Sequence, residues 1–220
     1  MIERDYLMRM ISMLTAAIAR LLHLKKEKEY TEGIAEINRA CRSMLGADGT
    51  FLDSFSDTQL LRMFGRDPEL ASTRWYVLGL LLKERGEVER LMGEERKALA
   101  TETRALRLLL EAFLVSDAPL DPDHSRHIDE LVERRGLLDL PPPLALLAAR
   151  FFERTGRFAK AEDVHRDLLD KEPGHLPAVC SFYERLLTMS DDQLMRGNLP
   201  RAEIREALVH LAQGEGQAGG

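Results

Sequence analysis

Strand formers, cysteine and long apolar runs are all scarce in this sequence. Seven valines and seven isoleucines stand against 38 leucines and 22 alanines in 220 residues, a balance that favours helix over sheet. No stretch approaches the roughly 18 consecutive apolar residues of a membrane-crossing helix. Two cysteines, Cys41 and Cys180, make neither a disulfide framework nor a metal knot, and read as reduced, mostly buried thiols. Positive charge is not in excess either. The 31 Lys and Arg are outnumbered by 37 Asp and Glu, for a net charge of -6, and the signs are well mixed, which argues against nucleic acid as the main partner. The opening residues carry Glu3 and Asp5 and lack the basic flank and small-residue cleavage site of a secretion signal. A cytoplasmic protein with neither membrane nor nucleic acid as partner is expected.

What the chain does have is 45% apolar residues, arranged at helical spacing from end to end. Ile2, Tyr6, Leu7, Met10, Leu14, Ala17, Ile18, Leu21 and Leu22 recur at three- and four-residue steps and predict a first helix to about Leu24. A second runs from Thr31 to Leu45 and stops at Gly46. Ala47 to Ser56 reads as loop. Ser56 with Gln59 forms a capping box for a short helix ending near Phe64. Pro68 suits the first position of the next helix, Glu69 to about Met92. A partner helix then covers Glu94 to Val115. Trp75 and Gly79 are expected in the core, with Gly79 giving a crossing helix room. The segment 116–123 is the best internal boundary, with Asp121 and Pro122 as cap and first helical residue of a helix to Arg135. Gly136 to Pro143 makes a second break. Further helices are expected from Pro143, over Ala161 to Leu169, from Leu176 or Pro177, after a cap near Ser190, and over Pro200 to Leu211. Four glycines between Gln213 and Gly220 predict a disordered tail. The sum is an all-α domain over 1–212 of about nine to eleven helices in antiparallel hairpins, since hairpins stack to bury faces that none can bury alone.

The stretch Pro142 to Pro173 resembles a tetratricopeptide repeat: Ala149, Phe152, Gly156, Phe158, Ala161 and Pro173 stand at that family's separations, with Leu168 in place of the second alanine. Trp75, Leu78, Gly79 and Leu82 reproduce the repeat's opening, although Ala98 and Ala105 follow seven residues late, as two extra turns of helix would require. Tyr30, Gly33, Ile37 and Ala40 match a third turn and second helix. The resemblance implies a right-handed stack of degenerate tetratricopeptide-like hairpins. The opening through Asp5, Tyr6, Leu7, Met8, Arg9 and Met10 is also similar to an uncharacterised family of bacterial helical proteins with such cores, which implies bacterial origin and cytoplasmic location and transfers no catalytic residue.

Chemistry is sparsely signalled. Asp121, Asp123, His124 and His127 are the strongest metal candidates, because histidines three apart on a helix can face one ion. Against that, carboxylates at a helix start cap free amides, and His124 beside Arg126 and Glu130 reads as ordinary surface. Glu94, Glu95 and Glu102 interleave with Arg96, Lys97 and Arg104 as a solvated face would. No catalytic residue and no cofactor is assigned. The leading expectation is a protein-interaction or scaffold module; the alternative is a small-molecule or metal-binding regulatory protein or enzyme using residues 121–130. The inner positions of the repeats, Ile18, Leu22, Tyr76, Leu80, Leu146 and Arg150, lack the asparagines and lysines with which tetratricopeptide proteins clamp a terminal carboxylate. These residues, together with Met8 and Met13 outside the first helix's stripe, are the expected interaction surface. They should be covered by another helix, a partner segment or a second copy in a homodimer.

Overall fold

The structure, a computed structural model, describes residues 2–116 and 123–218, without the side chains of 2–7, 212 and 214–218. Twelve α-helices and two short 3-10 turns, with no strand, make up the described residues. They divide into two compact units, 1–135 and 136–220. The division falls at the second break of the sequence rather than in 116–123.

The first unit contains α1 (Ile2–Lys26), α2 (Tyr30–Leu45), α3 (Gly49–Leu52), α4 (Asp57–Phe64), α5 (Pro68–Leu91), α6 (Glu95–Val115) and α7 (His124–Arg135). Start signals act where the sequence places them. Ser56 and Gln59 complete a capping box for α4, and Asp67 caps α5 with Pro68 just inside, meeting amide protons that have no intrahelical acceptor. Helix α3 occupies part of the expected loop: Asp48 accepts from both the amide and the hydroxyl of Thr50, a cap sufficient for one turn. Asp121 and Pro122 lie outside the described residues.

Helices α5 and α6 form the central hairpin, and residue pairs give their direction. Gly79 faces Leu109, Gly86 faces Glu102, and Arg90 bonds Glu95, so one number rises as the other falls. A Cβ on Gly79 would come within 2.8 Å of Leu109 Cγ, and one on Gly86 within 2.5 Å of Glu102 Cγ. Two glycines seven apart thus set α5 directly against α6, the role expected for Gly79. Trp75, expected in the core, is only half-buried. Its ring lies on Gly65 and its indole N–H donates to the Leu61 carbonyl at 3.1 Å, fastening α4 to α5; an indole needs such a polar outlet.

The second unit holds α8 (Pro142–Arg154), α9 (Phe158–Lys171), α10 (Leu176–Leu187), α11 (Asp191–Arg196) and α12 (Arg201–Ala218). Small residues Ala145, Ala148, Ala149 and Ala161 are buried beside Phe151, Phe152 and Phe158. The Arg157 guanidinium closes the α8–α9 turn, 4.6 and 4.7 Å from the centroids of Phe151 and Phe152. Ser190 and Gln193 make a second capping box, for α11. Helix α12 continues through 213–218, where glycine content predicts a tail: once a helix is nucleated, each further residue adds a hydrogen bond for one residue fixed.

Candidate functional site

From Tyr76 to Leu82 every position of α5 is apolar or glycine, and a helix apolar on all sides is buried on all sides. Burial continues into the charged run that follows, so Lys83, Glu84, Arg85 and Glu89 are buried as well. Each such charge needs a partner, because desolvating an unpaired ion costs several kcal/mol. Lys83 lies 2.8 Å from Glu130, and Lys25 of α1 lies 2.7 Å from Glu84 and 2.9 Å from Glu87. Burial alone would lower the Lys25 pKa, but the hydrogen bonds and charges of Glu84 and Glu87 outweigh it and hold the ammonium above its ordinary value. Arg85 makes a two-pronged pair with Asp53, at 2.8 and 2.7 Å, and gives its Nε–H to Glu89 at 2.8 Å. Glu89 is 0% exposed and also accepts from the Thr101 hydroxyl at 2.7 Å.

Asp53, Arg85 and Thr101 of this network also line a cavity of about 610 Å³. Leu82 and Arg85 line it from α5, Asp53 and Asp57 from the α3–α4 segment, and Arg135 from the end of α7. Helix α6 supplies the long wall, including Arg96, Leu99, Ala100, Thr103 and Arg104. Spacings of three and four put Arg96, Leu99, Ala100 and Thr103 on one stripe of that helix. Counting Lys97, five cations face two carboxylates in the lining. The carboxylates are already engaged: Asp53 by Arg85, and Asp57 by Arg104 at 2.8 Å. Arg104 further donates to the Phe55 carbonyl. Lys97 bonds Glu94 at 3.0 Å and lies 3.4 Å from Glu89; the Glu94 hydrogen bond leads in raising its pKa against the opposing effect of burial. Among the described residues Arg96 and Arg135 have neither acidic partner nor hydrogen bond, and the Arg135 Nε is buried. The cavity therefore presents two uncompensated guanidinium groups, which are suited to planar, two-pronged recognition of oxyanions.

The reading of Glu94, Glu95 and Glu102 with Arg96, Lys97 and Arg104 as one solvated face holds for Glu94, Glu95, Arg96 and Lys97, which are exposed, and fails at Glu102 and at the half-buried Arg104. Glu102 is buried and shared by Arg90 and Arg134, while the three cations line the cavity. The signal that could have found it is the unbroken apolar run 76–82, which forces whatever follows on α5 to be buried and paired.

The metal candidates separate. Asp121 lies outside the described residues. His124 is buried rather than at the surface: its Nε2 is 3.0 Å from the Leu109 carbonyl, and its ring packs 4.5 Å from Tyr76 and 5.3 Å from Phe113, centroid to centroid. His127 is half-buried. Among the described residues no three His, Cys, Asp or Glu side chains gather as a metal site would require. The expected interaction surface divides too. Tyr76 and Leu80 are buried within the first unit, because α5 is covered on that side as well. Met13, Ile18 and Leu146 are half-buried and Arg150 is exposed. Met8 and Leu22 are 61% and 56% exposed on α1. Cys41 is buried, and burial, the largest influence, pushes its thiol up to about 12, which leaves it inert as a nucleophile. Cys180 is half-buried.

Fold and cavity together define an all-helical protein with a cation-lined cleft in its first unit and, among the described residues, no helix long and apolar enough to cross a membrane. Residues 1–216 match the family described as "Family of unknown function (DUF6483)", and the chain belongs to it. No curated protein and no solved structure matches the chain.

Proposed function

We propose that the protein is a binding module whose working site is the cleft between α5, α6 and the α3–α4 segment, and that it recognises an anionic ligand there. The observation that supports this reading is the pair of cations, Arg96 and Arg135, facing a cavity whose carboxylates are already bound by other arginines. A converging polar pocket favours ligand sensing over a plain scaffold, since small-ligand sites are concave and combine apolar walls with a few placed polar groups. In this reading the site is built by α5, α6, the α3–α4 segment and Arg135 at the end of α7 rather than by residues 121–130. The supporting frame is a right-handed, tetratricopeptide-like stack of hairpins. A bacterial cytoplasmic setting accords with this reading.

A ligand that binds only the folded state raises the unfolding midpoint by mass action. Inorganic tripolyphosphate is expected to raise the thermal midpoint of the full chain in a saturable way, and the double variant Arg96→Ala, Arg135→Ala should lose that response. Arg9→Ala, on the exposed side of α1, should keep it. An unresponsive wild type, or a double variant that responds as fully as wild type, would overturn the reading.

A second reading, self-association as an interaction or scaffold module, is favoured by the exposure of Met8 and Leu22 on α1. A twofold pair covers such a face without a second gene product. Sedimentation equilibrium over a hundredfold concentration range should show mass above 25.0 kDa, falling back to it in the double variant Met8→Glu, Met13→Glu. A wild-type mass that stays at the single-chain value rejects the dimer.

A further inference from the structure

We infer that the ligand of the cationic cleft is a small organic phosphate monoester with an apolar body, rather than an inorganic anion or an acidic protein segment. The inference rests on the anion-binding reading and adds the class of molecule. Charge is the first observation. Arg85 and Arg104 are matched within the protein by Asp53 and Asp57, and Lys97 by Glu94 and Glu89. Two cations remain, Arg96 and Arg135. A phosphate monoester concentrates about 1.5 to 2 negative charges and three acceptor oxygens in one group near pH 7, which balances the two guanidinium groups and offers each a two-pronged contact.

The second observation is the apolar part of the lining. Leu99 is 41% exposed and sits on the same α6 stripe as Arg96, with exposed Ala100 beside it and buried Leu82 on the floor. A bare phosphate would leave that surface in water; an organic body bonded to the phosphate would cover it, and burying apolar area is favourable. Size is the third. About 610 Å³ falls within the roughly 300–1,000 Å³ of sites for small organic ligands.

Isothermal titration of the full chain with four probes separates the outcomes: phenyl phosphate, glycerol 1-phosphate, inorganic phosphate and a six-residue poly-glutamate peptide. Phenyl phosphate and glycerol phosphate carry the same charged group and differ in apolar body. Phenyl phosphate is expected to bind about tenfold more tightly than either phosphate lacking an apolar body, the scale of one covered leucine side chain. Leu99→Ser, at a partly exposed position, should erase most of that ratio while leaving glycerol phosphate unchanged. Arg96→Ala and Arg135→Ala should each weaken both esters. Equal affinity for the two esters, or a ratio that survives Leu99→Ser, overturns the inference. Tighter binding of the glutamate peptide than of phenyl phosphate also overturns it, and leaves the anion-binding reading in place with an acidic protein segment as ligand. Failure of all four probes together with tripolyphosphate removes both.

Discussion

His165 shows how much one buried side chain can matter without being a ligand. It lies on α9 among α8, α10 and the 3-10 turn Pro173–His175, with its ring 4.6 Å from that of Phe182 and no hydrogen-bond partner on either nitrogen. Burial is the main reason its pKa falls to about 4 from 6.5; Glu153 acts against the fall, and Arg185 and His175 add to it. The unfolded chain therefore takes up a proton that the native state refuses between those two values. Stability from keeping the ring neutral is complete above about pH 6.5, erodes as pH falls, and is gone below about pH 4. The shift corresponds to about 3 kcal/mol. Urea midpoints between pH 7 and pH 4 are expected to fall more steeply for the wild type than for His165→Phe, which cannot take up the proton. Parallel pH profiles would refute the assignment. The isolation of this histidine is physical: neither ring nitrogen has a hydrogen-bond partner. Its burial was not legible, because no local spacing shows that α10 lays Phe182 over it.

At the scale of elements, local signals were read well where the cause is local. Ser56 with Gln59, Pro68, Gly46 and Ser190 act within a turn of their own position, and each helix end they predict is present. Gly79 was legible for a related reason: an interior glycine costs about 1 kcal/mol against alanine, so its presence implied a close neighbour. Its substitution gives the test. Gly79→Leu should lower the unfolding free energy by roughly 1 to 3 kcal/mol, because the added side chain meets Leu109 where even a Cβ is crowded. A chemical-denaturation midpoint that does not fall would contradict the assigned face. The cleft was harder to read. Arg96 and Lys97 alternate with glutamates as surface residues do and are indeed exposed, but nothing in that alternation shows that Asp53, Asp57, Arg85 and Arg135 line the same cleft from other elements. Glu102 illustrates the same limit: its partners Arg90 and Arg134 stand 12 and 32 residues away. Replacing Glu102 by Gln should cost about 3 to 5 kcal/mol in urea unfolding, since two arginines would lose one buried anion; a cost within experimental error would show that the pair is solvated.

For the whole molecule, the all-helical class followed from composition and periodicity, while the place of the division did not. The segment 116–123 and the segment 136–143 both have the proline and acidic residues of a break, the second adding Gly136, and only the packing of α7 against α6 decides between them. Lys83 with Glu130, and Glu102 with Arg134, hold α7 in the first unit. Each unit consequently has its own core: Leu81, Leu106 and Leu108 in one, and Phe151, Phe152 and Phe182 in the other.

The chain's single tryptophan, Trp75, lies half-buried in the first unit, with its indole N–H on the Leu61 carbonyl. It is a built-in optical reporter for one unit. Far-ultraviolet dichroism sums the helices of both units, whereas emission excited at the tryptophan edge senses the environment of α4 and α5. Acidification toward pH 4, which charges His165 in the second unit, should therefore remove ellipticity before the emission maximum moves to the red. Coincident changes in the two signals would mean that the second unit does not open ahead of the first.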